Sequence, residues 1–347
     1  MINLMTPINQ LGYGIAGLNI LKALQARTNV ALHIIGQPQV TNQADADAVK
    51  KGLETAKFFD DKATCVKIWH QNQMAERIGS GKFIGFPIFE LDTFTDLEKH
   101  HLRSCDELFV CSQWAKDIVM GPYFNTGGES RVHVVPLGVD TTIFRPAPKV
   151  KRDHTVFFNC GKWEVRKGHD LLANAFKEHL KEYPNSQLWM MCSNPFNTEE
   201  ENNKWLSLYN HPNIKIIPRA NTQQEVYNIM SQVDCGVFPS RGEGWNLELL
   251  EMMAVGKPTI ATNYSAHTEF AVDGGIQYSH LIPTHGVEPA FDGKWFFGQG
   301  NWAKIEQQDI TDAMDEFMKT GWVQSTIVGR AQQFSWENTA NEILKHI

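Results

Sequence analysis

Short apolar runs alternate with amphipathic stretches along most of this chain. The runs at residues 2–5, 30–35, 65–69, 83–89, 107–111 and 133–136 predict strands. Between them, residues 18–26, 42–57, 97–104 and 112–119 have helical spacing or composition. A second series places strands at 155–159, 187–192, 214–217, 235–238 and 259–262, with helices at 169–183 and 223–231. Buried parallel strands read as continuous apolar runs, and their crossovers read as helices. The alternation therefore predicts an α/β protein with parallel sheets. Residues 138–153 carry Pro146, Pro148 and a basic cluster without a period, which predicts a domain boundary. Residues 274–300 also lack a period. Their Phe291, Trp295, Phe296 and Phe297 predict a long ordered loop. Residues 311–320 and 335–346 predict the last helices.

Length and composition narrow the class. At 347 residues the chain is long enough for two separate cores. No apolar run approaches the roughly 20 residues that span a bilayer. The first residues, Met1-Ile2-Asn3-Leu4-Met5-Thr6-Pro7, lack the basic start of a signal peptide. The six cysteines are scattered with no C-x-x-C pair, which predicts reduced core thiols and a cytoplasmic protein. Residues 1–150 hold 15 basic and 15 acidic residues; residues 151–347 hold 17 and 24, which accounts for the net charge of -7. Neither half has the basic excess of a nucleic-acid binder.

The segment Glu243-Gly244-Trp245-Asn246-Leu247-Glu248-Leu249-Leu250-Glu251 carries the strongest chemical signal. Glu243 is expected in a strand-to-helix loop, and Glu251 about two turns into the helix. Amides at a helix start can face anionic oxygens, while carboxylates accept hydrogen bonds from hydroxyls. A nucleotide sugar offers both groups. Upstream, Cys160-Gly161-Lys162-Trp163-Glu164-Val165-Arg166-Lys167-Gly168 follows a strand and precedes a helix. Lys162 and Lys167 there suit a diphosphate, with Arg166 assisting or solvated; the alternative is an ordinary solvated charge run.

The first half offers weaker signals. Gly12-Tyr13-Gly14-Ile15-Ala16-Gly17 reads as a glycine-rich turn after the first strand. It suits close approach to phosphate or sugar oxygens, or is a plain tight turn. His70 and Glu90 each follow a strand, where open α/β sheets bind ligands; for each the alternative is a surface loop residue. Asp45-Ala46-Asp47 lies in a polar helical stretch and reads as surface. His100-His101 lacks a zinc framework, and there is no G-x-S-x-G elbow.

Together these motifs resemble family 4 glycosyltransferases, which are retaining enzymes of GT-B architecture. Val132-His133-Val134-Val135-Pro136-Leu137-Gly138-Val139-Asp140, with Phe144 and Pro146, is similar to the family's strand-and-linker segment. Residues 161–168 resemble its phosphate loop. Pro239-Ser240, Glu243-Gly244, Leu250-Glu251 and Gly256-Lys257-Pro258 resemble its E-x7-E region, and residues 265–269 the turn that follows. The chain departs in having Gly161-Lys162 where the family has Gly-Arg. It also has Trp245-Asn246 where the family has Phe-Gly.

The resemblance implies two Rossmann-like domains facing across a cleft: 1–145 for the acceptor and 146–325 for the nucleotide sugar. It also implies a C-terminal helix, 326–347, returning to the first domain. It makes Glu243, Lys162, Lys167 and His70 the catalytic set. Glu251, Gly244, Trp245, Asn246, Leu247, Arg166 and Gly14 would bind the donor, and Glu90 and Gly12 would lie on the acceptor side. The implied donor is a UDP- or GDP-sugar, with no metal and no permanently bound cofactor. The acceptor is left open among saccharide, lipid, protein, small molecule and modified base. A sugar phosphorylase, a nucleotide-sugar epimerase and a non-catalytic nucleotide-sugar binder are the rival readings.

Overall fold

A computed structural model describes residues 1–121, 131–320 and 324–347. The chain divides into two compact units. Met1–Gly138 with Phe334–Ile347 form one, and Val139–Gln333 form the other.

The first unit contains β1 (Ile2–Thr6), α1 (Gly12–Gln25), β2 (Val30–Ile34), α2 (Gln43–Ala56), β3 (Thr64–Trp69), β4 (Phe83–Pro87), α3 (Asp96–Arg103), β5 (Glu107–Val110), α4 (Gln113–Met120) and β6 (Val132–Val134). The strands form one parallel sheet in the order β2-β1-β3-β4-β5-β6. Every residue of β4 is buried, as a parallel strand covered on both faces requires.

The second unit contains β7 (Val156–Gly161), α5 (His169–His179), β8 (Gln187–Cys192), α6 (Glu199–Leu208), β9 (Ile214–Ile216), α7 (Gln223–Met230), β10 (Cys235–Phe238), α8 (Leu247–Ala254), β11 (Thr259–Thr262) and α9 (His267–Ala271). It continues with β12 (Val272–Asp273), β13 (Ile276–Gln277), β14 (His280–Ile282), β15 (Val287–Phe291), β16 (Phe297–Ala303), α10 (Gln307–Thr320) and α11 (Gln324–Ala331). The main sheet is parallel, in the order β14-β11-β10-β7-β8-β9. The last helix, α12 (Trp336–Leu344), belongs to the first unit. There Arg27 binds Glu337 at 2.6 Å and Asn341 at 2.9 Å.

In each main sheet the strand order reverses direction beside the strand that comes first in sequence. The reversal falls between β1 and β3 in the first unit and between β7 and β10 in the second. Crossovers leave such neighbouring strands on opposite faces, so a crevice opens at their carboxyl ends. The loops after these four strands carry most of the polar residues singled out from the sequence.

Three expectations change. Residues 274–300 are not one loop: they include β14, which pairs with β11, and the antiparallel hairpin β15–β16. One carboxylate oxygen of Asp292 accepts from the backbone N–H groups of Lys294, Trp295 and Phe296 and fixes the hairpin's turn. Glu251 is the fifth residue of α8, just over one turn in, because the helix starts only at Leu247. The glycine-rich segment is not a turn either; it forms the first turns of α1. A Cβ at Gly14 would lie 2.3 Å from Asn9 N, and one at Gly17 would lie 2.0 Å from Thr6 Oγ1. These glycines let α1 pack onto the chain leaving β1.

Gly12 has open space around its missing Cβ. Gly14→Ala is therefore expected to cost about 1–3 kcal/mol through overpacking. Gly12→Ala should melt at or slightly above wild type, because the substitution restricts only the unfolded chain. Equal melting temperatures for the two variants would contradict the packing role of Gly14.

Candidate active site

The second crevice is built from the loops after β7 and β10. Gly161 and Gly168 hold positive φ angles of 138° and 72° at the two ends of the first loop. A Cβ on Gly168 would lie 2.1 Å from Pro239 O, so only glycine lets this loop rest on the end of β10. Arg241 then fastens the two loops. It donates to both carboxylate oxygens of Asp170 at 2.7 and 2.8 Å and to the Val165 carbonyl, while its own N–H reaches Arg166 O at 2.7 Å.

That closure brings Glu243 onto the cations. Lys167 Nζ donates to its Oε1 at 2.9 Å, Arg166 Nη1 to its Oε2 at 2.8 Å, and Ser240 Oγ to Oε1 at 2.8 Å. Arg166 also binds Glu164 at 2.7 Å, and Lys162 reaches the other Glu164 oxygen at 2.7 Å. The charges form one alternating chain: Lys162, Glu164, Arg166, Glu243, Lys167. Arg166 is 5% exposed and Glu243 5%, so Arg166 is not solvated. The charge chain is not a bare patch of three cations, because two carboxylates leave it a net charge of +1.

Burial alone would raise both carboxyls, but the cations dominate. Arg166 and Lys162 hold Glu164 down to about 2, and Arg166 and Lys167 hold Glu243 well below the usual carboxylate range. Lys167 is raised despite burial, chiefly by Glu243. Buried His169 stays neutral, lowered to about 3 by desolvation and by Lys167. Its ring lies between Glu164 N, 3.3 Å from Nδ1, and Asn159 Oδ1, 2.9 Å from Nε2.

Asn246 sits at φ 82° as the N-cap of α8, a left-handed position that asparagine tolerates better than most residues. Its Oδ1 accepts from Leu249 N at 3.2 Å, and its Nδ2 lies 2.9 Å from His267 Nε2. Asn246 therefore holds a backbone conformation that glycine also reaches and adds two side-chain contacts. Ser265, also at positive φ, accepts from Glu243 N at 2.9 Å. Gly244, Trp245 and Leu247 are buried in this loop and the first position of α8.

Glu251 stands apart. It is 6% exposed and has neither an ion pair nor a side-chain hydrogen bond among the described residues. Desolvation and neighbouring Glu248 push its carboxyl well above the ordinary range.

In the first unit, Tyr13 joins the elements that the sequence singled out. Its ring centroid is 4.7 Å from that of exposed His70, and its hydroxyl donates to Ile88 O at 2.5 Å, two residues before Glu90. Burial and then Glu90 raise the Tyr13 hydroxyl. Gly12, His70 and Glu90 thus lie around the loops after β1, β3 and β4. Asp45 is in the first turn of α2, bound to Lys22 at 2.8 Å. His285, Glu306 and Asp309 form a largely exposed cluster with metal-ligand spacing among the described residues, outside the β7 and β10 loops. All six cysteines are buried and none is in a disulfide. No helix among the described residues is long and apolar enough to cross a membrane.

Sequence reasoning passed over Glu164, Arg241 and Tyr13. Glu164 lies inside the cationic motif and could have been counted against it. Arg241 carries no motif signal.

The raised Glu251 carboxyl sets a pH test in the ligand-free protein. The folded state keeps a proton that the unfolded state loses above its pKa near 4.5. Stability therefore falls as pH rises through the window between those values. Glu251→Gln should melt above wild type at pH 8, and the gap should close by pH 4. A gap of equal size at both pH values would trace it to packing instead.

Residues 154–291 match the family described as glycosyl transferases group 1. Mannosylfructose-phosphate synthase of Agrobacterium fabrum is 24% identical over 215 residues, covering 53% of this chain and 46% of that protein. An uncharacterized glycosyltransferase of Methanocaldococcus jannaschii is 27% identical over 113 residues, covering 32% and 27%. The chain thus aligns with about a quarter to a half of the length of these relatives. Among solved structures, Anabaena HepE in complex with UDP-glucose superposes with a TM-score of 0.70 at 15% identity, covering 99% of this chain and 98% of that one. Sucrose-phosphate synthase from Thermosynechococcus elongatus gives 0.70 at 15% identity, covering 99% and 97%. The fold is GT-B, and residues 154–291 carry the match to group 1 glycosyltransferases.

Proposed function

We propose that this protein is a retaining glycosyltransferase that moves a sugar from a nucleoside-diphosphate sugar, with UDP or GDP as the nucleotide, to an acceptor hydroxyl. The observation that carries the reading is Glu243, held between Lys167 and Arg166 at the carboxyl ends of β7 and β10. Lys162 and Lys167 neutralise the departing diphosphate, as fixed charges that need no reorganisation when charge develops. Glu243 accepts from hydroxyls of the transferred sugar, beside the backbone of Gly244 and Asn246. Glu251 takes the ribose hydroxyls, which supply the partners its carboxyl lacks. The lysines do the work of a divalent cation, and no permanently bound cofactor is required. In the first unit, His70 is the proposed catalytic residue, and Glu90 and Gly12 are the proposed acceptor-side residues. Reduced buried thiols suit a cytoplasmic location.

The choice of variant matters. Glu243→Ala would leave buried Lys167 without its carboxylate and Arg166 with Glu164 alone, which costs about 3–5 kcal/mol and confuses folding with catalysis. Lys167→Ala leaves Glu243 paired with Arg166, so the protein stays folded. Purified wild type, supplied with UDP- and GDP-sugars and an acceptor panel, should give products by mass spectrometry. The anomeric configuration of the donor should persist in the product by NMR. Lys167→Ala should lower kcat by about 10²–10³. Full turnover by the folded variant, or an inverted product, would sink the assignment. A chelator should leave the rate unchanged.

A further inference from the structure

The second sheet has another concavity, at its opposite end. A cavity of about 700 Å³ is lined by Thr155, Ser186, Asp234 and Pro258. These residues immediately precede β7, β8, β10 and β11, whereas the proposed donor site follows β7 and β10. A volume of this size accommodates a small metabolite.

Its chemistry is defined by Lys257, which lines the cavity and is 3% exposed. The ammonium makes one long hydrogen bond, to Pro148 O at 3.4 Å, and has no ion pair among the described residues. Lys149, also on the wall, has no ion pair among the described residues either. The cavity's acids are already engaged. Asp234 accepts from Val156 N at 2.9 Å and lies 3.8 Å from Arg152 Nε; Asp153 binds His154 at 2.8 Å; Glu182 lies 3.9 Å from Lys319. Asp234 attracts the Lys257 ammonium, but that carboxylate is shared with Arg152, so an anion entering the cavity would relieve the cost of the buried cation. Desolvation lowers the Lys257 pKa, with Arg152 and Lys149 adding to it and Asp234 opposing. Tyr183, Phe317 and Met318 supply an apolar lining for the rest of a ligand.

We propose that this cavity binds a phosphate monoester, with its phosphoryl group on Lys257 and Lys149 and its organic part against Tyr183, Phe317 and Met318. The site is separate from the Glu243 charge chain and does not depend on the glycosyltransferase reading.

The probe is phenyl phosphate, followed by thermal shift and calorimetry, with inorganic phosphate for comparison. Phenyl phosphate should raise the melting temperature of wild type and of Lys167→Ala equally, and it should bind more tightly than inorganic phosphate. Lys257→Met should melt at or above wild type, because an unpaired buried charge is gone, and should lose affinity at least about tenfold, as expected for a charged hydrogen-bond partner. Lys149→Ala, at an exposed position, should weaken binding without affecting the fold. Absence of any response in wild type overturns the proposal. So does an undiminished response in both lysine variants. Loss of the response in Lys167→Ala would place the phosphate at the donor site and overturn it equally.

Discussion

The second unit is organised around one buried carboxylate. Glu243 is almost wholly removed from water, and such a charge is tolerable only when fully paired. Lys167, Arg166, Ser240 and the backbone contact with Ser265 meet that demand at the side chain and at its own N–H. Each partner requires something further of the chain. Gly168 must be glycine so that the loop after β7 can rest on Pro239. Arg241 must reach Asp170 so that the loop stays there. Arg166 in turn needs Glu164, which needs Lys162. Removing one member exposes the charge of the next, so the loops are held by the same contacts that organise the site.

Glu251 is the counter-example in the same helix. It is as buried as Glu243 but has no ion pair and no side-chain hydrogen bond among the described residues. The cost of that burial falls on the charged form, so the carboxyl keeps its proton well above the ordinary carboxylate range. Two carboxyls a few positions apart are thus pushed in opposite directions, one by cations and the other by burial and Glu248.

Much of this was readable from sequence, for reasons that differ by element. The main-sheet strands were legible because parallel strands buried on both faces leave uninterrupted apolar runs, as in Cys235–Phe238. The β15–β16 hairpin was not. Apolar Phe291 and Phe297 are exposed while Ala290, Trp302 and Ala303 are buried, and its register shifts between Pro289 and Phe291, so no clean alternation marks it. Helix α6 has no fully buried residue and packs on the core only through Trp205 and Leu208, too short an apolar stripe to give a period, although its Thr198–Glu201 capping box was a readable start signal. The start of α1 was misread because glycines usually signal turns. Here they answer a contact with Asn9 and Thr6 that no local pattern contains. At the candidate site, spacing singled out Glu243, Lys167 and Glu251, and the structure joins the first two in an ion pair. Glu164's part and the Arg241 clamp arise only when two loops distant in sequence meet.

Backbone strain follows the same division. Among the described residues, the non-glycine positions with positive φ are Asn246 and Ser265, and both flank Glu243. Neither conformation is favourable for a residue with a Cβ, so each has to be held by its surroundings. Asn246 is held by the α8 cap and His267, whose other nitrogen lies 3.2 Å from Thr262 O. Ser265 is held by the Glu243 amide and by Thr268. Glycine would occupy either position without strain, but it would bring no side chain to cap α8 or receive Glu243's N–H. The side-chain bonds offset the conformational cost and fix the loop in one arrangement. The carboxylate at its centre is therefore held in one orientation by its own loop and the cations.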